Sequence, residues 1–144
     1  MDDARPMVVI VPCSGIGKPF GSVSREAAYE VCESLCPADT RLVALSKLVL
    51  GDTAARQAVA GNLVVSIDGC QKMCAAKVVR QAGGSVAEEV TVFDAFRRHR
   101  DLKPEGIAVL NEAGTKLARV MAEEIAERVA QICQPAAVEG EGHA

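Results

Sequence analysis

Asn62-Leu63-Val64-Val65-Ser66-Ile67-Asp68-Gly69-Cys70-Gln71-Lys72-Met73-Cys74-Ala75-Ala76-Lys77 passes from a β-branched apolar run, through Asp-Gly-Cys, into residues that favour a helix. The run 62–67 has strand length and strand composition. Cys70 to about Gln81 reads as the helix that follows, closed at Gly83-Gly84. A strand that enters a helix through so short a turn is half of a βαβ unit, and such units build parallel sheets.

The same unit recurs on either side. Met7–Val11 is an apolar run that stops at Pro12 and opens into the glycine-rich loop Cys13–Gly21. Val23, Ala27, Val31 and Leu35 then recur every four residues, which predicts a helix from Ser22 to Cys36, with Ser22 or Ser24 as N-cap and Pro37 enforcing its end. Arg41–Leu45 reads as a second strand, followed by the apolar stretch Leu48–Leu50. Asp52 is a good N-cap for a short helix through Ala60 that closes at Gly61. Val86–Phe93 resembles a fourth strand, with a short helix through Arg100 after it. Leu117, Val120, Met121, Ile125, Val129 and Ile132 make an apolar stripe along a helix over Gly114–Gln134. The expected architecture is α/β: a single-domain open parallel sheet of about four strands with helices on both faces, over 1–134, followed by a flexible tail over 135–144.

Composition narrows the function classes. The chain has 144 residues, 49% hydrophobic and 24% charged, enough for a core without staples. One Tyr, three Phe and no Trp leave no stacking platform for single-stranded nucleic acid, and a net charge of −3 argues against a broad phosphate-binding face. Met1-Asp2-Asp3 is acidic where a leader would be basic, and 7–11 is too short to span a bilayer. The expectation is a cytoplasmic protein with no nucleic-acid or membrane partner. A small molecule or another protein is the remaining partner class, and the Ala-rich helices are compatible with a homodimer. The basic run Arg97, Arg98, His99, Arg100 and Lys103, interleaved with Asp94 and Asp101, reads as a solvated helix face.

A reducing compartment makes the six cysteines ligands, reactive groups or core fillers rather than a disulfide framework. Sites in open parallel sheets form beyond the carboxyl ends of the strands. Cys13 follows the first strand and Cys70 the third, so adjacency of those strands brings their loops together. Cys74, four residues beyond Cys70, falls on the same face of the expected helix, with Cβ atoms roughly 5–6 Å apart. That spacing suits a shared metal better than a disulfide, whose Cβ atoms approach to about 3.5–4.5 Å. Helix and loop amides would lower the thiol pKa values and favour the ligating thiolate, and the same physics would activate a nucleophile. Three readings therefore stand: a zinc or iron site on Cys13, Cys70 and Cys74; a redox or sulfur-transfer enzyme with Cys70 attacking and Cys74 or Cys13 resolving; or a scaffold or partner-binding module with incidental cysteines. In the metal reading Asp68 orients or hydrogen-bonds the Cys70 turn and Gly69 supplies its tight backbone. Cys32, Cys36 and Cys133 read as core or helix-edge residues. The glycine loop matches neither nucleotide-binding spacing, leaving a weak anion nest of Gly15, Gly17, Ser22, Ser24 and Arg25.

Cys13-Ser-Gly, Gly21-x-x-Ser24-Arg25-x-Ala27 and Ile67-Asp68-Gly69-Cys70-x-x-x-Cys74-Ala75-Ala76-Lys77 together resemble the DGC-domain family, over roughly Met7 to Asp94. The resemblance implies zinc binding through cysteines and no established reaction. It supports Cys13, Cys70 and Cys74. Where that family often carries a further cysteine, this chain has Lys18 and Ala44, so the implied geometry is three thiolates with water, Asp68 or a partner's group in the fourth position.

Overall fold

The computed structural model describes residues 7–13, 18–69, 71–106 and 108–133. Cys70, Gly15, Gly17 and the expected tail lie outside them. Four strands, β1 (Val8–Pro12), β2 (Thr40–Leu42), β3 (Leu63–Asp68) and β4 (Ser85–Thr91), pair in the order β2-β1-β3-β4. Every pair is parallel, and β1 runs beside β3 from Val8↔Leu63 to Pro12↔Ile67. The expected α/β class and the adjacency of the first and third strands are both present. All five residues of β1 are buried, the signature of a central strand covered on two faces.

The helices are α1 (Pro19–Glu30), α2 (Leu45–Leu50), α3 (Thr53–Gly61), α4 (Cys74–Gln81), α5 (Val92–Arg98) and α6 (Glu112–Cys133). The strand period of two divides the sheet between two cores. Val8, Ile10, Val65 and Ile67 pack with α1, α5 and α6, where Leu117, Met121, Ile125 and Val129 supply the stripe expected of the last helix. Val9, Val11, Cys13 and Val64 point the other way, against Leu45 and Leu48 of α2, Ala55, Ala58 and Val59 of α3, and Ala75 and Val79 of α4. Each fully buried Val, Leu or Ile contributes about 1.5–3 kcal/mol, so the two cores fix the strand register by themselves.

Several boundaries differ from expectation. α1 begins at Pro19, with Lys18 as N-cap, so Ser22 and Ser24 lie inside the helix. Proline at the first helical position has its φ preset and lacks an N–H that would otherwise go unpaired, which outweighs the capping preference of the two serines. α1 runs on into a π-helical turn, Val31–Leu35, closed by Cys36 N–H donating to the Val31 carbonyl at 2.8 Å. β2 ends at Leu42, and Leu45 already belongs to α2. Asp52 caps α3 as expected, accepting from Ala55 N–H at 2.9 Å. α4 begins at Cys74, not Cys70. Its end is a Schellman motif: Gly83 is left-handed at φ 91°, its N–H donates to Arg80 and that of Gly84 to Val79.

The exposed edge of β4 carries Glu88 and Glu89, charges that discourage pairing with another sheet. The basic segment is surface, as expected. Arg98 pairs with Glu124 at 2.8 Å and Arg97 stands 3.9 Å from Asp94, on half-exposed side chains.

Candidate functional site

The connection after β1 leads to α1 on one face of the sheet, whereas those after β2 and β3 lead to α2 and α4 on the other. Neighbouring loops that leave in opposite directions open a crevice at the carboxyl ends of the strands. Cys13 stands at its base. Its N–H extends the ladder by donating to the Ile67 carbonyl at 2.8 Å. Its Sγ accepts from Gly69 N–H at 3.2 Å and lies 3.4 Å from Ser24 Oγ. The thiol is thus held against the first turn after β3, 56 residues away in sequence.

Gly69 packs closely on α1. A Cβ there would stand 3.3 Å from Phe20 Cβ and 3.4 Å from the Phe20 carbonyl carbon, so a larger residue would need Phe20 to give by a few tenths of an ångström. The Gly69 carbonyl accepts from Phe93 N–H, which ties the same turn to α5.

Asp68 is 1% exposed, and its carboxylate reaches past the turn to α4. Oδ1 accepts from Ala75 N–H at 2.6 Å and Oδ2 from Ala76 N–H at 3.3 Å. Asp68 therefore caps α4 from seven residues upstream and closes a bracket around 69–74. Met73 inside this bracket is left-handed, with φ 58° and ψ 44°, the one positive-φ residue other than glycine among those described. A non-glycine residue there costs about 1–2 kcal/mol and persists because the cap and the Lys77 N–H bond to the Met73 carbonyl hold it.

This bracket corrects the expected placement of Cys74. Gln71 and Lys72 are turn residues and the helix starts at Cys74, so the four-residue helical spacing from Cys70 does not apply. Cys74 is exposed at the first position of α4, close enough for its charge and that of Asp68 to act on Cys13. Burial pushes the Cys13 thiol above its ordinary value of 9.0; the Ser24 and Gly69 hydrogen bonds oppose this, and the Asp68 and Cys74 charges add to it. The expected lowering at Cys13 is thereby overturned, because desolvation outweighs the donors. Burial also raises Asp68, against the two N–H bonds that favour its charged form.

The anion-nest expectation is reassigned in part. Gly15 and Gly17 lie outside the described residues. Ser22 and Ser24 are buried within α1: Ser24 Oγ donates to the Gly21 carbonyl at 2.7 Å, and Ser22 Oγ accepts from Arg25 Nη2 at 3.2 Å. The serine expected at an anion thus touches the Cys13 sulfur instead.

Cys32, Cys36 and Cys133 are half-buried against the α1/α6 core. The chain returns from Cys36 to the amino end of β1, where Asp39 N–H donates to the Cys36 carbonyl and Val8 N–H to the Asp39 carbonyl. Burial raises the Cys32 and Cys36 thiols, with Cys36 acting on Cys32 and Cys133 on Cys36.

Among the described residues no three His, Cys, Asp or Glu side chains form a group able to hold a metal ion. Cys13 and Cys74 are two of the three expected ligands; Cys70 lies outside the described set. Among those residues, too, no helix is long and apolar enough to cross a membrane.

The family model for the DGC domain matches residues 9–131. No curated protein and no solved structure matches the chain.

Proposed function

The chain belongs to the DGC domain family, and from that premise we propose that it binds a thiophilic metal, zinc before iron, through the thiolates of Cys13, Cys70 and Cys74. The observation that carries the reading is the Gly69 N–H on the Cys13 sulfur at 3.2 Å, which joins the ends of β1 and β3 directly before Cys70. An N–H donor on sulfur stabilises a thiolate ligand and fixes its direction, the role of outer-sphere partners at metal sites. Asp68 and Ser24 stiffen the same shell, Asp68 by anchoring α4 and Ser24 by pinning Cys13 to α1. A metal ion would replace the proton that burial keeps on Cys13 and, with three protein ligands, keep one position open for exchange or Lewis-acid chemistry.

The rival thiol-enzyme reading makes Cys70 the attacking sulfur and leaves Cys74 or Cys13 to resolve it, roles on which the raised Cys13 value does not bear. The two are separated by alkylation of protein purified anaerobically without an affinity tag. The metal reading expects about one equivalent of zinc or iron, with Cys70 labelled slowly when loaded and faster after chelation. Fast labelling of Cys70 at neutral pH whatever the metal content would favour the thiol enzyme instead.

A further inference from the structure

A second group of thiols stands at the amino end of β1, away from the crevice. Cys32, Cys36 and Cys133 all pack on the core between α1 and α6, and the π-helical turn Val31–Leu35, which holds Cys32 and leads into Cys36, lies against α6. π-helical turns inserted in α-helices recur at functional sites. Just past this one the backbone of Cys36 is fixed from both sides: its N–H donates to the Val31 carbonyl at 2.8 Å, and its carbonyl accepts from Thr40 Oγ1 at 2.7 Å and from Asp39 N–H at 3.2 Å. Cys133 is the last residue of α6, and the end of a helix adjusts more readily than its interior. The three thiols are not equivalent. Cys133 lies close enough to Cys36 for its charge to act there, whereas the groups that act on Cys32 are the Thr40 hydroxyl, Cys36 and Glu33. Among the described residues no three such side chains make a metal-holding group, so the chemistry open to this end of the sheet is that of a thiol pair.

We propose that Cys36 and Cys133 are a dithiol that exchanges with low-molecular-weight disulfides and closes reversibly into a disulfide joining the end of α6 to the turn that follows α1. The step needs no other reagent. One thiolate of the pair attacks a sulfur of R–S–S–R and expels RS⁻, leaving a mixed disulfide; the second protein thiolate attacks the protein sulfur of that bond and expels the other RS⁻. The two RS⁻ take up the two protons the cysteines released, so R–S–S–R is reduced to two RSH as Cys36 and Cys133 are oxidised. Burial raises the Cys36 thiol above 9.0, which keeps its thiolate scarce at neutral pH and the exchange slow there. The bridge closes a loop of roughly 100 residues and so restricts the unfolded chain while pinning the last turn of α6. Neither cysteine belongs to the metal site, so the pair stands or falls apart from the zinc reading.

The test incubates the folded full-length protein with glutathione disulfide at about pH 8, blocks the remaining thiols by alkylation and maps tryptic peptides without reduction. Peptide 26–41, which holds Cys32 and Cys36, should appear joined to peptide 129–144, which holds Cys133, within a single chain and two hydrogens lighter than the separate thiol peptides. A dithiol reductant should release both. Fragmentation of the joined species should place the bond on Cys36, and the bond should form unchanged in Cys32→Ser and be lost in Cys36→Ser, which keeps a mixed disulfide on Cys133. The proposal is overturned by the absence of a joined species in folded wild-type protein, whether the two cysteines carry mixed disulfides or stay unmodified. A bond on Cys32, a bond between two chains, or one that forms only in urea above the unfolding transition overturns it equally. Because fragmentation of the wild-type species needs no variant, a misfolded Cys36→Ser protein leaves the test decisive. Metal content measured on untreated protein reports on the zinc reading separately.

Discussion

Cys13 and Cys36 lie at opposite ends of β1, separated by the length of that strand, roughly 16 Å at about 3.3 Å per residue. At the carboxyl end the sulfur meets a backbone N–H and a serine hydroxyl. At the amino end Cys36 rests on the α1/α6 core, and burial, Asp39 and Cys133 all act to keep its proton on. Burial raises the thiols at both ends, and what differs is the donors around them. Strand carboxyl ends gather turning backbone with N–H groups to donate, whereas at the amino end here Cys36 meets the packed ends of α1 and α6 and the Asp39 charge, and Cys32 the Thr40 hydroxyl. Position in the topology thus decides which donors a thiol meets.

The largest effect should come from exchanging the two groups as ligands. Cys13→Ser, Cys70→Ser and Cys74→Ser should each weaken metal retention on the order of a hundredfold, while Cys32→Ser, Cys36→Ser and Cys133→Ser retain it, as read by metal analysis after dialysis against a chelator. Equal retention across all six would erase the functional difference between the two ends.

Next in size are the two aspartate caps. Asp68→Ala should cost about 2–3 kcal/mol in urea unfolding, because two buried N–H groups lose their acceptor, whereas Asp52→Ala, at an exposed cap, should cost about 1 kcal/mol. A smaller loss for Asp68→Ala than for Asp52→Ala would mean that the bracket around 69–74 does not hold the turn.

A smaller difference is expected in alkali. Cys32 and Cys36 have folded-state pKa values raised above 9.0. Unfolding therefore releases protons above that value, and the stability they contribute is complete below pH 9.0 and lost as pH rises through the folded values. Unfolding midpoints at about pH 8 and pH 10 should show the loss, and a Cys32→Ala/Cys36→Ala variant should show less of it. Zinc should leave this component unchanged while removing that of Cys13, since a ligating thiolate no longer titrates. An identical alkaline loss in the variant would contradict the buried setting of the amino-end thiols.

The smallest effect concerns Met73. Met73→Gly should stabilise the protein by about 0.5 kcal/mol, the left-handed strain relieved less the entropy that glycine adds to the unfolded chain. Destabilisation instead would show that the Met73 side chain holds the turn through packing.

The sequence exposed the strands well because their residues are buried on both sides and so form unbroken β-branched runs; Val8–Val11 and Val64–Ile67 read directly. Helix starts were poorly legible. Ser22 and Ser24 are good caps, yet Pro19 took the first helical position, and Gln71-Lys72-Met73 have the propensity to extend α4 back toward Cys70. What stops α4 at Cys74 is the Asp68 carboxylate and the left-handed Met73, and neither has a local signature. The contact of Ser24 with Cys13 was equally hidden, since it depends on how α1 leaves the end of β1.

By itself, then, the sequence determined the α/β class, the parallel character of the sheet and the place of Cys13 and Cys70 after the first and third strands, because these follow from hydrophobic period and from βαβ connections, which operate along the chain. Only the tertiary structure decided that those two strands are neighbours, the protonation of Cys13 and the start of α4. Each of these depends on groups far apart in sequence that burial brings within a few ångströms, where desolvation and hydrogen-bond geometry override local preference.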